Sequence, residues 1–144
     1  MRLGSIINIK SGDGLTSNQM CSKGNIPVYG GNGITGYHDK ANIDEETIVI
    51  GRVGYYCGCV HLTPKVAWVT DNAFIVTYPE QSILREFLML ILTIVNQNKS
   101  DNGTAQPVIS GKKIYPALVP IPPLQEQHKI IRRLTELMNI IELL

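Results

Sequence analysis

GTAQPVISGKKIYPALVPIPPLQEQHKIIRRLTELMNIIELL, Gly103 to Leu144, is the stretch whose reading decides how the rest of the chain is taken. Its double proline, Pro122-Pro123, closes an extended segment, because a residue before proline is driven out of the helical region. Pro123 can itself occupy a first helical turn, where a missing N–H costs nothing. From Leu124 onward there is neither Gly nor Pro. Ile131, Leu134, Met138 and Ile141 fall at 3-4-3 spacing, the seam of a helix that packs on another helix. The run reaches Leu144 without a C-cap signal. That predicts either a partner helix supplied from elsewhere or a chain cut mid-helix.

Working back, Pro79 to about Asn98 predicts a helix with proline in its first turn. Ile83, Leu84, Phe87, Leu88, Ile91, Leu92 and Val95 form its apolar face. The greasiest window, Leu88 to Val95, is too short to span a membrane and reads as buried helix. Before it, Thr47–Ile50, Tyr55–Leu62, Lys65–Val69 and Ala73–Thr77 read as short strands separated by glycine and Asp/Asn turns. GNIPVYGGNGITGY (24–37) predicts a strand ending at Gly30-Gly31 and then a glycine-rich turn. Gly31, Gly33 and Gly36 fit G-x-G-x-x-G, but no strand–turn–helix context surrounds them and no lysine follows, so a phosphate loop is not indicated. Residues 2–10 predict a short strand or turn, followed by the loop Ser11-Gly12-Asp13-Gly14. No repeat is visible.

The 144 residues are one domain's worth, 44% hydrophobic and 17% charged, with a net charge of +1. A non-specific DNA binder is usually more basic, so any positive face has to be assembled in three dimensions. Cys57 and Cys59 lie two apart and point the same way along a strand, a poor disulfide geometry. With Cys21 they offer no zinc set. They read as reduced thiols of a cytoplasmic protein, and neither a signal peptide nor a membrane-spanning run is indicated.

Three blocks resemble the DNA specificity (S) subunit of type I restriction–modification enzymes. GTAQPVIS followed by PIPPLQEQ and a helix looks like the end of a target-recognition domain and the start of its spacer helix. I-x-x-G-R-x-G (48–54) with WVTDNAF (68–74), and the proline, Tyr-Gly-Gly-x-Gly stretch, match further blocks. The opening loop matches in part, since Leu15-Thr16-Ser17 stands where the family carries lysine and Thr-Pro. The fold class expected is therefore α+β: a twisted, largely antiparallel sheet with packed helices, then a C-terminal coiled-coil-type spacer helix. Residues 1–122 would be the recognition domain and 123–144 the spacer or dimerisation helix.

The resemblance implies a non-catalytic subunit that reads one half of a bipartite sequence in double-stranded DNA. It would direct DNA-methyltransferase subunits and, where present, a restriction subunit. Two copies, or this chain and a second half-subunit, would pair through Ile131, Leu134, Met138 and Ile141. No cofactor is expected. The residues bear this out only by inventory. His38, His61 and His128 are scattered, Asp44-Glu45-Glu46 reads as a solvated turn, and no nucleophile set is marked. Base reading needs Arg or Lys for guanine, Asn or Gln for adenine, and Lys, Arg, Ser or Thr for phosphates. Arg52, between two glycines, is the leading DNA-contact candidate, with a structural or backbone-capping role as the competing reading. Lys23, Asn32, Thr35, Tyr37, His38, Lys40 and Asn72 follow. Lys112 and Lys113 either hold phosphate or solubilise a strand edge. Gln106 reads as scaffold. The competing functions are a protein–protein docking module of the same kind of complex without DNA contact, and a small-molecule enzyme using the Gly24–Gly36 loop.

Overall fold

The computed structural model describes residues 1–21, 23–52, 58–97 and 111–143. Strand β4 (Ile48–Gly51) is buried along its whole length, and that is the key to the layering. Ile48 and Ile50 face one core, together with Phe74 and Val76 of β7 (Ala73–Thr77) and helix α1 (Arg85–Gln97). Val49 faces the opposite way, into a second core with Tyr29, Ala67, Val69 and Ala73. A strand covered on both faces has no polar positions to alternate with, hence the unbroken Ile-Val-Ile.

β4 sits in a four-stranded antiparallel sheet of order β1-β7-β4-β5, with β1 Asn8–Ser11 and β5 Val60–Leu62 at its edges. Against its second face lies a three-stranded sheet of order β3-β2-β6, made of β2 (Ile26–Gly30), β3 (Gly33–His38) and β6 (Trp68–Val69). The expected α+β class holds, but the single sheet becomes two. The β2–β6 pair, Val28 with Trp68 and Tyr29 with Val69, is parallel. The run Lys65–Val69 thus leaves the sheet of its sequence neighbours. Asn42 explains how it is held: its amide accepts from the Val69 N–H at 2.8 Å and donates to the Val69 carbonyl at 2.9 Å, standing in for a strand partner.

α1 begins at Arg85, not at Pro79. Residues 79–84 form a turn, with Ser82 and Ile83 N–H groups bonded to the Pro79 carbonyl. Phe87, Leu88, Ile91 and Leu92 are buried on the first core. At about 1.5–3 kcal/mol each, that burial is on the order of 10 kcal/mol and outweighs the lower helix propensity of the β-branched residues in its C-terminal half. Asn98, the expected end, lies outside the described residues, as do Val53-Gly54, the Tyr55–Cys57 part of the second predicted strand, the GTAQPVIS block and Gln106.

The N-terminal segment, expected as a short strand or turn, holds both: a 3₁₀ turn, Leu3–Ser5, and then β1. It is clasped by the far end of the domain: Leu3 and Gly4 N–H groups bond to the carbonyls of Ala117 and Tyr115 at 2.8 and 3.0 Å. α2 (Gly111–Ile114) is a single helical turn, so Lys112 and Lys113 are not on a strand edge. α3 (Leu124–Glu142) follows Pro123 directly. Gln127 in its first turn is fully buried and Ile131 packs on the first core. Beyond them Leu134, Met138 and Ile141 are 37%, 50% and 60% exposed. The seam is therefore split, with Ile131 against the chain's own body and the remaining three exposed.

Candidate nucleic-acid interface

The glycine-rich stretch is an antiparallel hairpin, not a loop opening into a helix. Gly30 pairs with Gly33, leaving Gly31-Asn32 as the two-residue tip, and Gly33 turns with φ +79°. The hairpin is irregular: Tyr29 opposes Ile34 and Val28 opposes Gly36, so Thr35 is an inserted bulge residue. Bulges re-aim side chains, and here Asn32, Ile34, Thr35 and Tyr37 are all exposed. The Thr35 hydroxyl turns back on the Val28 carbonyl at 3.4 Å, while the Tyr37 ring stands 49% exposed. Lys23 and Lys40 flank the open end of the same hairpin, exposed and outside every described ion pair.

His38 is corrected. It is 8% exposed, its Nδ1 accepts the Cys21 N–H at 3.3 Å, and its ring stands edge-on to Trp68 at 5.5 Å. An imidazole spent on packing and on a backbone donor is not presented to a partner. Its last-strand position, where alternation turns inward, is the signal that would have shown this.

Arg52 folds back instead of reaching out. Its guanidinium lies 5.5 Å over the Phe74 ring, and Nη1 donates to the Asp71 carbonyl and Ser11 Oγ, both at 3.3 Å. Its backbone N–H bonds to the Asn72 carbonyl at 2.8 Å. These contacts are those of the capping reading. Asn72 is exposed, and its N–H bonds to Thr70 Oγ1, which donates to the Tyr29 carbonyl at 3.0 Å. That chain of bonds ties the Arg52–Asn72 turn to the tip end of the hairpin. Arg52, Asn72 and Asn32 thus share one end of the molecule, and Lys23 and Lys40 occupy the hairpin's other end. Lys113 sits apart, on α2 beside the N-terminal turn, and the Lys112 side chain lies outside the described part.

The surroundings are charge-balanced. Asp13 accepts from Asn42 at 3.0 Å, Asp39 follows His38, and the exposed Asp71 itself supplies the carbonyl that the Arg52 guanidinium binds. Gly12 holds this region closed, since a Cβ there would fall 2.2 Å from the Val69 oxygen. Among the described residues no group of His, Cys, Asp and Glu could hold a metal ion, and no helix is long and apolar enough to cross a membrane. The residue that sequence reasoning missed is Gln127, wholly buried on an otherwise polar helical turn. Its only signal was its place in PIPPLQEQ.

A bulged hairpin of hydrogen-bonding side chains at one side of a double-layered body, with an apolar-striped helix leaving that body, defines a recognition module. The chain belongs to the type I restriction modification DNA specificity domain family, whose description it matches over residues 1–144. It is a specificity domain and not a catalytic one. It is 27% identical over 129 residues to the type I restriction enzyme EcoprrI specificity subunit of Escherichia coli, covering 87% of this chain and 32% of that protein. The S subunit of a type I restriction-modification system from M. genitalium shares its fold with a TM-score of 0.79 at 21% identity, over 99% of this chain and 39% of the other. The HsdS subunit from Thermoanaerobacter tengcongensis does so at 0.73 and 18%, over 99% and 37%. The chain therefore spans 32% to 39% of the length of these relatives.

Proposed function

We propose that this chain reads one half of a bipartite DNA target and directs methyltransferase subunits, and a restriction subunit where present, to it. The observation that carries the reading is the β2–β3 hairpin, whose bulge and glycine tip turn Asn32, Thr35 and Tyr37 outward within a DNA specificity domain. Asn32 is of the type that pairs with adenine edges, and Lys23 and Lys40 suit phosphates. Asn72 borders the same surface. Arg52 reaches DNA by releasing its hold on Asp71, and otherwise shapes the turn that presents Asn72. Residues 1–122 act as the reader and 123–144 as the spacer. Leu134, Met138 and Ile141 pair with a second helix in coiled-coil fashion, from another copy or another half-subunit. Two copies would make the target palindromic.

Co-expression with a type I modification subunit, followed by sequencing of methylated positions, tests the reading. A methylated motif that changes in Asn32→Ala, Thr35→Ala or Asn72→Ala supports it, and a motif indifferent to all three defeats it. Light scattering at high micromolar concentration tests the homodimer, which a mass of one chain would sink. The balanced charge around Asp13, Asp39 and Asp71 favours a second reading, a docking module without DNA contact. A chain that assembles with the modification subunit but shifts no duplex would establish that second reading.

A further inference from the structure

Gln127 is 0% exposed, and its amide is used from both ends. Oε1 accepts the Leu84 N–H at 2.8 Å, while Nε2 donates to the Ser82 carbonyl at 3.0 Å and the Pro122 carbonyl at 2.8 Å. The partners come from the turn before α1, from the residue that opens α1 and from the extended segment before α3. The Leu84 carbonyl accepts the first helical bond, from Leu88 at 2.9 Å, which makes Leu84 the N-cap of α1. A local capping box would need a Glu or Gln three residues on, but Phe87 stands there and has nothing to return to the Leu84 N–H. Gln127 performs that service from a different helix.

The chemistry is specific to an amide. A carboxylate would face two carbonyl oxygens, and an apolar side chain would take the partner away from three part-buried backbone groups. Past Gln127, Ile131 is the last residue of α3 packed on the core. A helix about 28 Å long is thus seated over its first two turns and projects for the remainder. Packing alone at one end permits pivoting, whereas bonds in three directions define an axis.

We propose that Gln127 is the positioning residue that fixes the direction in which α3 leaves the body, so that body and projecting helix turn as one unit. Its functional consequence rests on the reading above: the clamp holds the hairpin at a set angle to whatever helix pairs with α3. The clamp itself can be tested without DNA. Spin labels are placed at Lys65→Cys and Glu142→Cys in a chain whose own cysteines are replaced by Ala. Dilution with unlabelled chain restricts the readout to intramolecular distances. A control pair, Lys65→Cys with Thr93→Cys, reports the body.

The unsubstituted chain should give one narrow distance distribution. Gln127→Met and Gln127→Glu should broaden it at least about twofold while the control pair is unchanged. An unaltered width with an unaltered control overturns the proposal. If the variants lose the control distance, hydrogen exchange in the unsubstituted chain decides. The Leu84 N–H and the Gln127 side-chain amide hydrogens should be protected and exchange together. Exchange of either at the rate of a free amide overturns it. Unchanged DNA reading by a variant whose distribution is broadened would count against the functional reading and leave the clamp standing.

Discussion

At the scale of single residues, the site's chemistry turns on which side chains are already occupied. Arg52 is committed to Phe74, Ser11 and Asp71. Arg52→Ala should therefore cost about 1–2 kcal/mol in a urea titration, from a lost cation–π contact and carbonyl cap. Arg52→Lys should recover only part of that, because an ammonium cannot both stack flat and fork. Gly12→Ala should cost more, about 3 kcal/mol or loss of folding, since its Cβ would meet two carbonyl oxygens of fixed backbone at 2.2 and 2.4 Å. Tyr29 supplies a pH signature. Burial, helped by Tyr37, raises its phenol above the ordinary 10.0. A folded state that holds the proton more tightly than the unfolded chain keeps its full advantage below pH 10.0 and loses it as pH rises through the raised value. Tyr29→Phe should lessen the drop in urea midpoint between about pH 8 and about pH 10.5, while Tyr78, also raised by burial, accounts for a remainder.

At the scale of elements, the helices divide by what covers them. α1 is held by four buried side chains, and its sequence periodicity was sufficient to place it. Its start was misplaced by six residues' worth of turn, because the cap that begins it comes from α3 and leaves no trace near Pro79. α3 has the opposite character: a stable polar helix whose stripe stays open past Ile131. If that stripe pairs helices, Leu134→Ser, Met138→Ser and Ile141→Ser together should convert a two-chain mass to one chain in light scattering. The thermal midpoint of the body should move little, because these three side chains are exposed and Ile131, not they, packs on the core. Ile131→Ser should lower that midpoint, since it packs on the first core.

At the scale of the molecule, three layers carry the β2–β3 hairpin on one side, and α3 projects from them. Among the described residues the candidate surface holds few cations outside ion pairs, chiefly Lys23 and Lys40, with Arg52 if it lets go of Asp71. Each neutralised phosphate contributes about −0.9 to the slope of log affinity against log salt, so this chain should account for a slope no steeper than about −3. A titration of the assembled complex should be steeper, and Lys23→Ala with Lys40→Ala should flatten it by about 2. A steep slope for the isolated chain would place the phosphate contacts elsewhere on its surface.

What the sequence determined by itself is whatever depends on near neighbours. Proline and glycine placed the breaks, short β-branched apolar runs marked β4 and β7, period 3.6 marked α1 and α3, and ordered motifs such as PIPPLQEQ carried the family. What only the tertiary structure decided is how distant groups satisfy one another. Lys65–Val69 joins a second sheet because Trp68 and Val69 pair with β2 while Asn42 holds the Val69 backbone, His38 turns inward because Cys21 and Trp68 occupy it, and Arg52 bends over Phe74. Gln127 reads as one more polar residue on a polar helix until the fold brings it beneath Ser82 and Leu84. Local propensity is written in adjacent residues, whereas a buried amide's worth lies in unpaired groups some forty residues away, which no window along the chain contains.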